Sequence, residues 1–434
     1  MTRKVSSMKM ISKRAAGALA LAASAALVLS SCSSSAEKPA EDSGAGSTDA
    51  LKIGTLLPQT GSLGFLMPPV QAGIAQALAD INGAGGVLDQ DVTIVAEGNE
   101  GDATDLTVVE KGADDIIKAK PSFVLGAMGS GRSAHVVDKI AEAGILMGSP
   151  SNTSADLSGI NPNYFRTAPP DTVQGDALGN QVLLDGKTKV AFLTFNDPYG
   201  LGLRDVIQAT VEAGGAEVVY GGKGDGNEFP TEQTSFASEV TAAKDSGAEA
   251  FVVVTYDQLK QIVPEAVNQG LDLANFYLVD GNTNGYGDEF PPGTLEGAQG
   301  SIPGAQANDE FKKQLDEIYA AEFGGALASY TYAPEAYDLV TLVALAAQKA
   351  GATDAESIKG QLHAVSGADG GEECNTFKDC KALLDAKKDI HYVGKSGTGP
   401  LNDNNDPSSA FIGIYKYDAE NNPIFVEAVE GKTK

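Results

Sequence analysis

The feature that most constrains this chain is an alternation of apolar strand-like runs and helix-length amphipathic segments, carried out twice in tandem. "LKIGTLL", from Leu51, reads as a strand. Val70, Ile74, Ala77, Leu78 and Ile81 then recur at helical spacing, and Gly85 with Gly86 ends that helix. "DVTIVAEG", "SFVLGAMG" and "ILMGSP" read as further strands, separated by helices in "TDLTVVEKGADDIIKA" and "SAHVVDKIAEAG". Strands joined by helices must lie parallel with the helices on the sheet faces. The pattern restarts at "KVAFLTF" and runs through a helix from Gly202, "AEVVYGG", the helix "TEQTSFASEVTAAKDSG", "AFVVVTY", the helix "LKQIVPEAVNQG" and "NFYLVDG". Two such units predict an α/β chain with two doubly wound, Rossmann-like lobes of parallel sheet.

Between the units, "FRTAPPDTVQG" (Phe165–Gly175) is Pro-rich and reads as a crossing between lobes, and "LEGAQGSIPGA" (Leu295–Ala305) reads as a second. Four helical stretches follow, among them "APEAYDLVTLVALAAQKAG". With no sheet of their own, they are expected to cover the first lobe, while the closing strands "AFIGIYKY" and "PIFVEAV" return to the second. The expected division is 51–168 plus 300–395 for the N-terminal lobe, and 169–299 plus 396–434 for the C-terminal lobe. Several crossings make a multi-strand hinge, and hinge closure around a ligand is a known use of such a design.

The first 31 residues stand apart. Five basic residues (Arg3, Lys4, Lys9, Lys13, Arg14) and no acid precede an apolar run from Ala15 to Leu29. That run suits a signal peptide better than a spanning helix, which needs about 20 residues. "LSSC" (Leu29–Cys32) resembles a bacterial lipobox, so Cys32 is expected to carry lipid on the outer face of the cell membrane. Residues 32–50, rich in Ser, Ala, Gly and acid, read as a flexible tether. The remaining cysteines, Cys374 and Cys380, are close enough in sequence for a local disulfide in an oxidising compartment.

Composition narrows the partners. A formal charge of −27, more acidic still once the basic leader is removed, opposes binding to nucleic acid or an anionic membrane surface. The chain has no Trp, which disfavours a sugar cleft.

Ligands of open parallel sheets bind beyond the carboxyl ends of the strands. In the first unit those ends carry Gly129, Ser130, Gly131 and Arg132 at a helix start, then Ser149, Ser151, Asn152 and Thr153. In the second they carry Tyr199, Tyr256 and Asp280. Hydroxyls and free amides at a helix start suit a carboxylate. An acid flanked by tyrosines suits an ammonium. Together they describe an α-amino acid zwitterion, with the small residues letting main chain approach it. Each residue also has a plainer reading: Ser130 as a helix cap, Asp280 as a turn former, the tyrosines as core, and Arg132 in a surface ion pair.

Catalysis is not expected. No G-x-S-x-G occurs, "GLGLRD" lacks the third glycine of a dinucleotide loop, "DGKT" lacks the leading glycine of a phosphate loop, and His135, His363 and His391 stand far apart. Asp280 to Gly285 copies half of a calcium loop, but Pro291 stands where the bidentate Glu should be. No metal or cofactor is expected.

"IGTLLPQTGSLG", "GIAQALADINGAGGV", "GILMGSPSNTSADL", "YFRTAPPDTVQG", "NDPYGLGLRDV" and "YAPEAYDLVTLVALAAQKAG" stand in one order across most of the chain. In that order the chain resembles the type I periplasmic binding proteins of branched-chain amino acid ABC transporters. The resemblance implies a monomeric solute-binding protein serving a permease and its ATPase. It assigns the ligand's carboxylate to Ser130, the zwitterion to Ser151, Asn152 and Thr153, and the second lobe's contacts to Tyr199 and Tyr256. It places the ammonium on Asp280, where leucine-type relatives have Glu, and the side-chain pocket on Leu66 with Phe65 beside it. Relatives of the same fold take urea, short amides or aromatic acids, or act as sensors.

Overall fold

The computed structural model describes residues 46–433; the basic leader, Cys32 and nearly all of the tether lie outside them. The chain runs β1 Lys52–Leu57, α1 Met67–Gly83, β2 Thr93–Asn99, α2 Leu106–Ala119, β3 Phe123–Gly126, α3 Ser130–Glu142, β4 Leu146–Ser149 and β5 Tyr164–Arg166. It continues through α4 Asp171–Leu184, β6 Lys189–Thr194, α5 Pro198–Ala213, β7 Glu217–Tyr220, α6 Ala237–Asp245, β8 Ala250–Val254, α7 Leu259–Asn268 and β9 Phe276–Leu278. Then come β10 Gln299–Pro303, α8 Asp309–Glu322, α9 Ala333–Ala350, α10 Ala355–Ser366, β11 Glu372–Cys374, α11 Phe377–Asp385, β12 Ile390–Tyr392, β13 Ser409–Tyr417 and β14 Pro423–Lys432.

Two sheets organise these elements. The first has the order β2-β1-β3-β4-β5 and is parallel throughout. The second has the order β14-β13-β10-β9-β8-β6-β7; it is parallel from β7 to β10, with β13 and β14 added antiparallel at one edge. The inner strands β3, β4 and β8 are buried at every position, as strands covered on both faces must be, and they accordingly read as unbroken apolar runs. In each sheet the first strand is flanked by the second and third, so the chain reverses direction beside β1 and beside β6. Those reversals open a crevice at the carboxyl ends of β1 and β3, and another at β6 and β8.

Helix α9 is buried from Ala333 to Ala347 and packs on α1, α10, β3 and β4. A helix this largely apolar belongs inside a molecule, and its Asp338 is buried with it by accepting from the Tyr392 and Ser396 hydroxyls. Its approach to α1 needs Gly73, where a Cβ would lie 2.3 Å from the Ala333 carbonyl oxygen. Gly73→Ala is therefore expected to lower stability by about 1–3 kcal/mol, read from urea unfolding, as overpacking does elsewhere.

Three expectations need correction. Tyr164–Arg166 is a fifth strand of the first sheet and Asp171 already opens α4, so the first crossing shrinks to residues 167–170. Gln299–Pro303 is a strand paired with β9 and β13, so a lobe boundary at 300 cuts a strand of the second sheet, and that crossing lies past Pro303. Strands of three and five residues are too short to show a period of two against a Gly- and Pro-rich background. The helix expected from Thr231 begins only at Ala237, because Phe236 packs edge-on against Phe229 instead of continuing a helical turn.

Beneath α9, the short parallel pair β11 and β12 is tied to α11 by a disulfide between Cys374 and Cys380.

Candidate functional site

Strand ends from both sheets meet around one small cavity, whose free volume of about 10 Å³ leaves space for a single water. From the first sheet come Leu63 and Leu66 after β1, Met128 and Ser130 after β3, and Ser151 and Thr153 after β4. From the second come Tyr199, Tyr256, Asp280 and Gly281, and Tyr332 enters from the residue before α9. A larger cavity of about 350 Å³ lies against the hinge strand β10 and shares only Tyr332 with this set. Convergence of polar groups, not size, marks the small one as the site.

The acidic pole is Asp280. The Tyr199 hydroxyl donates to its Oδ1 at 2.7 Å and the Tyr332 hydroxyl to its Oδ2 at 2.5 Å. Burial raises its pKa, and the two phenol hydrogen bonds partly offset that rise. The rings of Tyr199 and Tyr256 stack with centroids 5.4 Å apart and planes 6° from parallel, which fixes the first phenol over the acid. Tyr332 reaches the acid from a left-handed backbone conformation, φ 61°.

Opposite stands the amide-rich pole. Ser130 is the first residue of α3, and the first-turn amides of a helix have no acceptor within it. The Ser130 hydroxyl accepts from the Ser154 amide at 3.3 Å. The run of small residues after β4 is folded on itself: the Ser149 hydroxyl donates to the Ala127 carbonyl at 2.8 Å and accepts from the amides of Ser151 and Asn152. The Ser151 hydroxyl donates to the Met128 carbonyl at 3.0 Å. Main chain therefore comes to the cavity surface at Thr153.

Two poles of opposite character, one apolar wall and closure from two sheets make a binding site with no reacting pair in it. Residues 50–384 match the family model described as periplasmic binding protein. The chain belongs to that family. It is a family of solute-binding proteins, not of enzymes. Among its relatives, the Leu/Ile/Val-binding protein BraC3 of Rhizobium johnstonii is 28% identical over 374 residues, covering 85% of this chain and 92% of the relative. The branched-chain amino acid transporter substrate binding protein LivJ of Streptococcus pneumoniae, solved in complex with isoleucine, superimposes with a TM-score of 0.69 at 21% identity, over 89% of this chain and all of that one. A solute binding protein of an ABC transporter from Rhodopseudomonas palustris, solved with p-hydroxybenzoic acid, gives 0.68 at 15% identity, over 89% of this chain and 98% of that one. These likenesses confirm the two-lobed fold.

Within this binding protein, Ser130, Ser151, Thr153, Tyr199, Tyr256, Asp280 and Leu66 line the cavity. Asn152 is buried, but its side chain faces away: its Nδ2 donates to the Met128 carbonyl at 2.8 Å and its Oδ1 accepts from the Tyr164 hydroxyl at 2.8 Å. Phe65 lines a separate outer cavity with Pro68, Pro69 and Asp257. Arg132 is not on the surface. It is 1% exposed, and its Nε lies 2.9 Å from Glu100 Oε1. The Glu100 carboxylate also takes the amides of Met128 and Gly129, so a protein acid satisfies the loop leading into α3, while the helix's own first turn begins only at Ser130. Burial raises the Glu100 pKa, and the Arg132 charge opposes that rise.

Asn282, part of the calcium-like loop, donates from Nδ2 to the Val253 carbonyl and points into the sheet. Among the described residues no cluster of His, Cys, Asp and Glu could hold a metal, and no helix is long and apolar enough to cross a membrane. His135 pairs with Glu110 and His363 with Asn405, both away from the cavity. Leu63, Met128 and Tyr332 were not expected at the site. Tyr332 stands far along the chain from every strand end, and only the packing of α9 on the first sheet brings it back.

Proposed function

We propose that this protein captures an α-amino acid with an apolar side chain, of the branched-chain class, between its lobes and delivers it to an ABC importer. The observation that carries this reading is Asp280, buried between two phenols, facing the α3 helix start and the hydroxyls of Ser130 and Thr153 across a cavity whose remaining wall is Leu63, Leu66 and Met128. An acidic pole facing an amide-rich pole suits a zwitterion. The apolar wall suits an aliphatic side chain. The names of the similar proteins from Rhizobium johnstonii and Streptococcus pneumoniae support the same class of ligand.

Lipid at Cys32 would hold the protein on the extracytoplasmic face, as a monomer, beside its permease and ATPase. Closure of the lobes, with residues 167–170, 304–308 and 393–408 as hinge segments, would be the state the permease reads.

Isothermal titration calorimetry tests the ligand class. The chain from Ser33 onward, unfolded and refolded to strip carried solute, would be titrated with leucine, isoleucine, valine, phenylalanine, glutamate, urea and 4-hydroxybenzoate. Micromolar or tighter binding is expected for the aliphatic amino acids. Binding of urea or 4-hydroxybenzoate alone would keep the fold and remove the proposed ligand. Glutamate alone would point to the Arg132 guanidinium, whose two Nη atoms have no partner.

A further inference from the structure

The cavity of about 350 Å³ beside β10 plays no part in the amino-acid site, yet its wall carries two charged side chains of opposite sign. Glu335 stands in the first turn of α9 and is 1% exposed. Among the described residues only its own amide donates to its carboxylate. Burial pushes that carboxyl well above the ordinary range, and Asp338, the one charged side chain acting on it, pushes it further. An unpaired buried acid is costly and calls for a donor. Gly304, at the end of β10, leaves the acid its room, since a Cβ there would lie 1.9 Å from Glu335 Oε1.

The second charge is Lys312, a half-buried residue of α8 on the same wall. Among the described residues its ammonium meets no carboxylate; it lies over the Tyr330 ring, 5.7 Å from the centroid. That ring is held in turn by its hydroxyl, which donates to Asp316 at 2.9 Å. Lys312 does not act on Glu335, so the two charges are held apart. The rest of the wall is polar. The hydroxyls of Ser329 and Thr331 pair at 2.7 Å, and burial with the Glu335 charge pushes the Tyr415 phenol up to about 12.

A cavity of this size accepts a small organic solute. A bare amine would satisfy Glu335 and leave Lys312 unused. An α-amino acid carries its ammonium and carboxylate on one carbon, too close together to serve two separated charges. We propose that this cavity is a second solute site, taking an ω-amino acid whose ammonium sits on Glu335 and whose carboxylate reaches Lys312. The site does not depend on the amino-acid reading above, since only Tyr332 is common to the two cavities. Its occupant would bear on the hinge, because Glu335 packs on Gly304 and its carbonyl accepts from the Thr167 hydroxyl at 2.8 Å.

Calorimetry on the chain from Ser33 onward tests this with β-alanine, 4-aminobutanoate and 5-aminopentanoate. Each is set against the amine and the carboxylate of the same chain length, with leucine absent and with leucine in excess. At least one ω-amino acid is expected to bind in both conditions, and more tightly than either single-charge control. Lys312→Gln should weaken it by about 10- to 100-fold, as loss of a charged partner does, and should abolish its preference over the amine. Glu335→Gln should abolish its preference over the carboxylate. Leucine binding should be unchanged in Lys312→Gln, which also serves if Glu335→Gln fails to fold. A merely structural role for either residue would weaken all probes alike and leave those preferences intact, which overturns the proposal. Displacement of the ω-amino acid by leucine also overturns it, because the probe would then occupy the first cavity. So does equal binding by wild type and Lys312→Gln, or the absence of binding across the series. Failure of leucine to bind bears on the amino-acid reading alone, and the leucine-free titrations then decide the second site.

Discussion

Replacing Arg166 with alanine is expected to destabilise the ligand-free protein by about 3–5 kcal/mol, the usual cost of stranding one member of a buried ion pair. Arg166 ends β5 with no exposed surface. Its Nε lies 2.6 Å from Asp406 Oδ1, and Asp406 is itself almost wholly buried. Its Nη1 donates to the carbonyls of Asn152 at 3.1 Å and Ser154 at 2.8 Å, and its Nη2 donates to the Ser158 hydroxyl at 2.9 Å. One guanidinium thus ties the first sheet, the turn that carries Thr153 and the hinge segment holding Asp406. Alanine leaves the Asp406 charge and two carbonyls buried without donors. Lysine should not rescue, because a point charge cannot reproduce the fork. Asp406→Asn should cost less, since an amide oxygen still accepts from Nε. Urea unfolding reads all three. A loss below about 1 kcal/mol for Arg166→Ala would mean that water replaces the guanidinium. Leucine affinity should fall as well, because the carbonyls on either side of Thr153 lose their anchor.

Arg166 also illustrates what was legible in the sequence and what was not. Its partners are 240 residues away at Asp406 and only 12 to 14 away at Asn152 and Ser154, and no local pattern encodes the long pairing. The longer inner strands of both sheets were legible because inner parallel strands must be apolar at every position, and a run such as "AFVVVTY" fits little else, whereas the short β5 and β10 passed for crossings. Tyr199, Tyr256 and Asp280 were legible because the carboxyl ends of parallel strands face the crevice whatever the loop sequence. Asp171 sits one residue past Pro170, where an acid is the expected opening of a helix, so its complete burial could not be anticipated. Arg132 follows a helix start rich in small residues, and only the fold brings Glu100 to it. Asn152 looked equivalent to Ser151 and Thr153. The buried Tyr164 hydroxyl and Met128 carbonyl turn it the other way.

Lowering the pH from about 7 toward about 5 should stabilise the ligand-free wild type relative to Asp171→Asn, while weakening leucine binding to the wild type. Burial holds the folded Asp171 pKa well above the ordinary carboxyl value of 3.8, with Asp280 adding to the rise. Between 3.8 and the raised value, the folded state keeps a proton that the unfolded chain has released. Stability from this group therefore falls as pH rises through that window, and it is fully present at the acid end. Asparagine has no proton to lose, so the variant should lack this component and show a flatter dependence of melting temperature on pH. Binding works in the opposite sense at Asp280, whose folded pKa burial also raises, because an ammonium needs the carboxylate and must displace the proton first. Affinity should then drop by up to about tenfold per pH unit below the folded pKa. Calorimetry in buffers of different ionisation enthalpy should register release of up to about one proton per leucine bound by the wild type, and less by Asp280→Asn. A wild-type affinity that stays constant from about pH 7 to about pH 5, with no dependence on buffer, would mean that Asp280 is already ionised before leucine arrives, held so by the hydroxyls of Tyr199 and Tyr332.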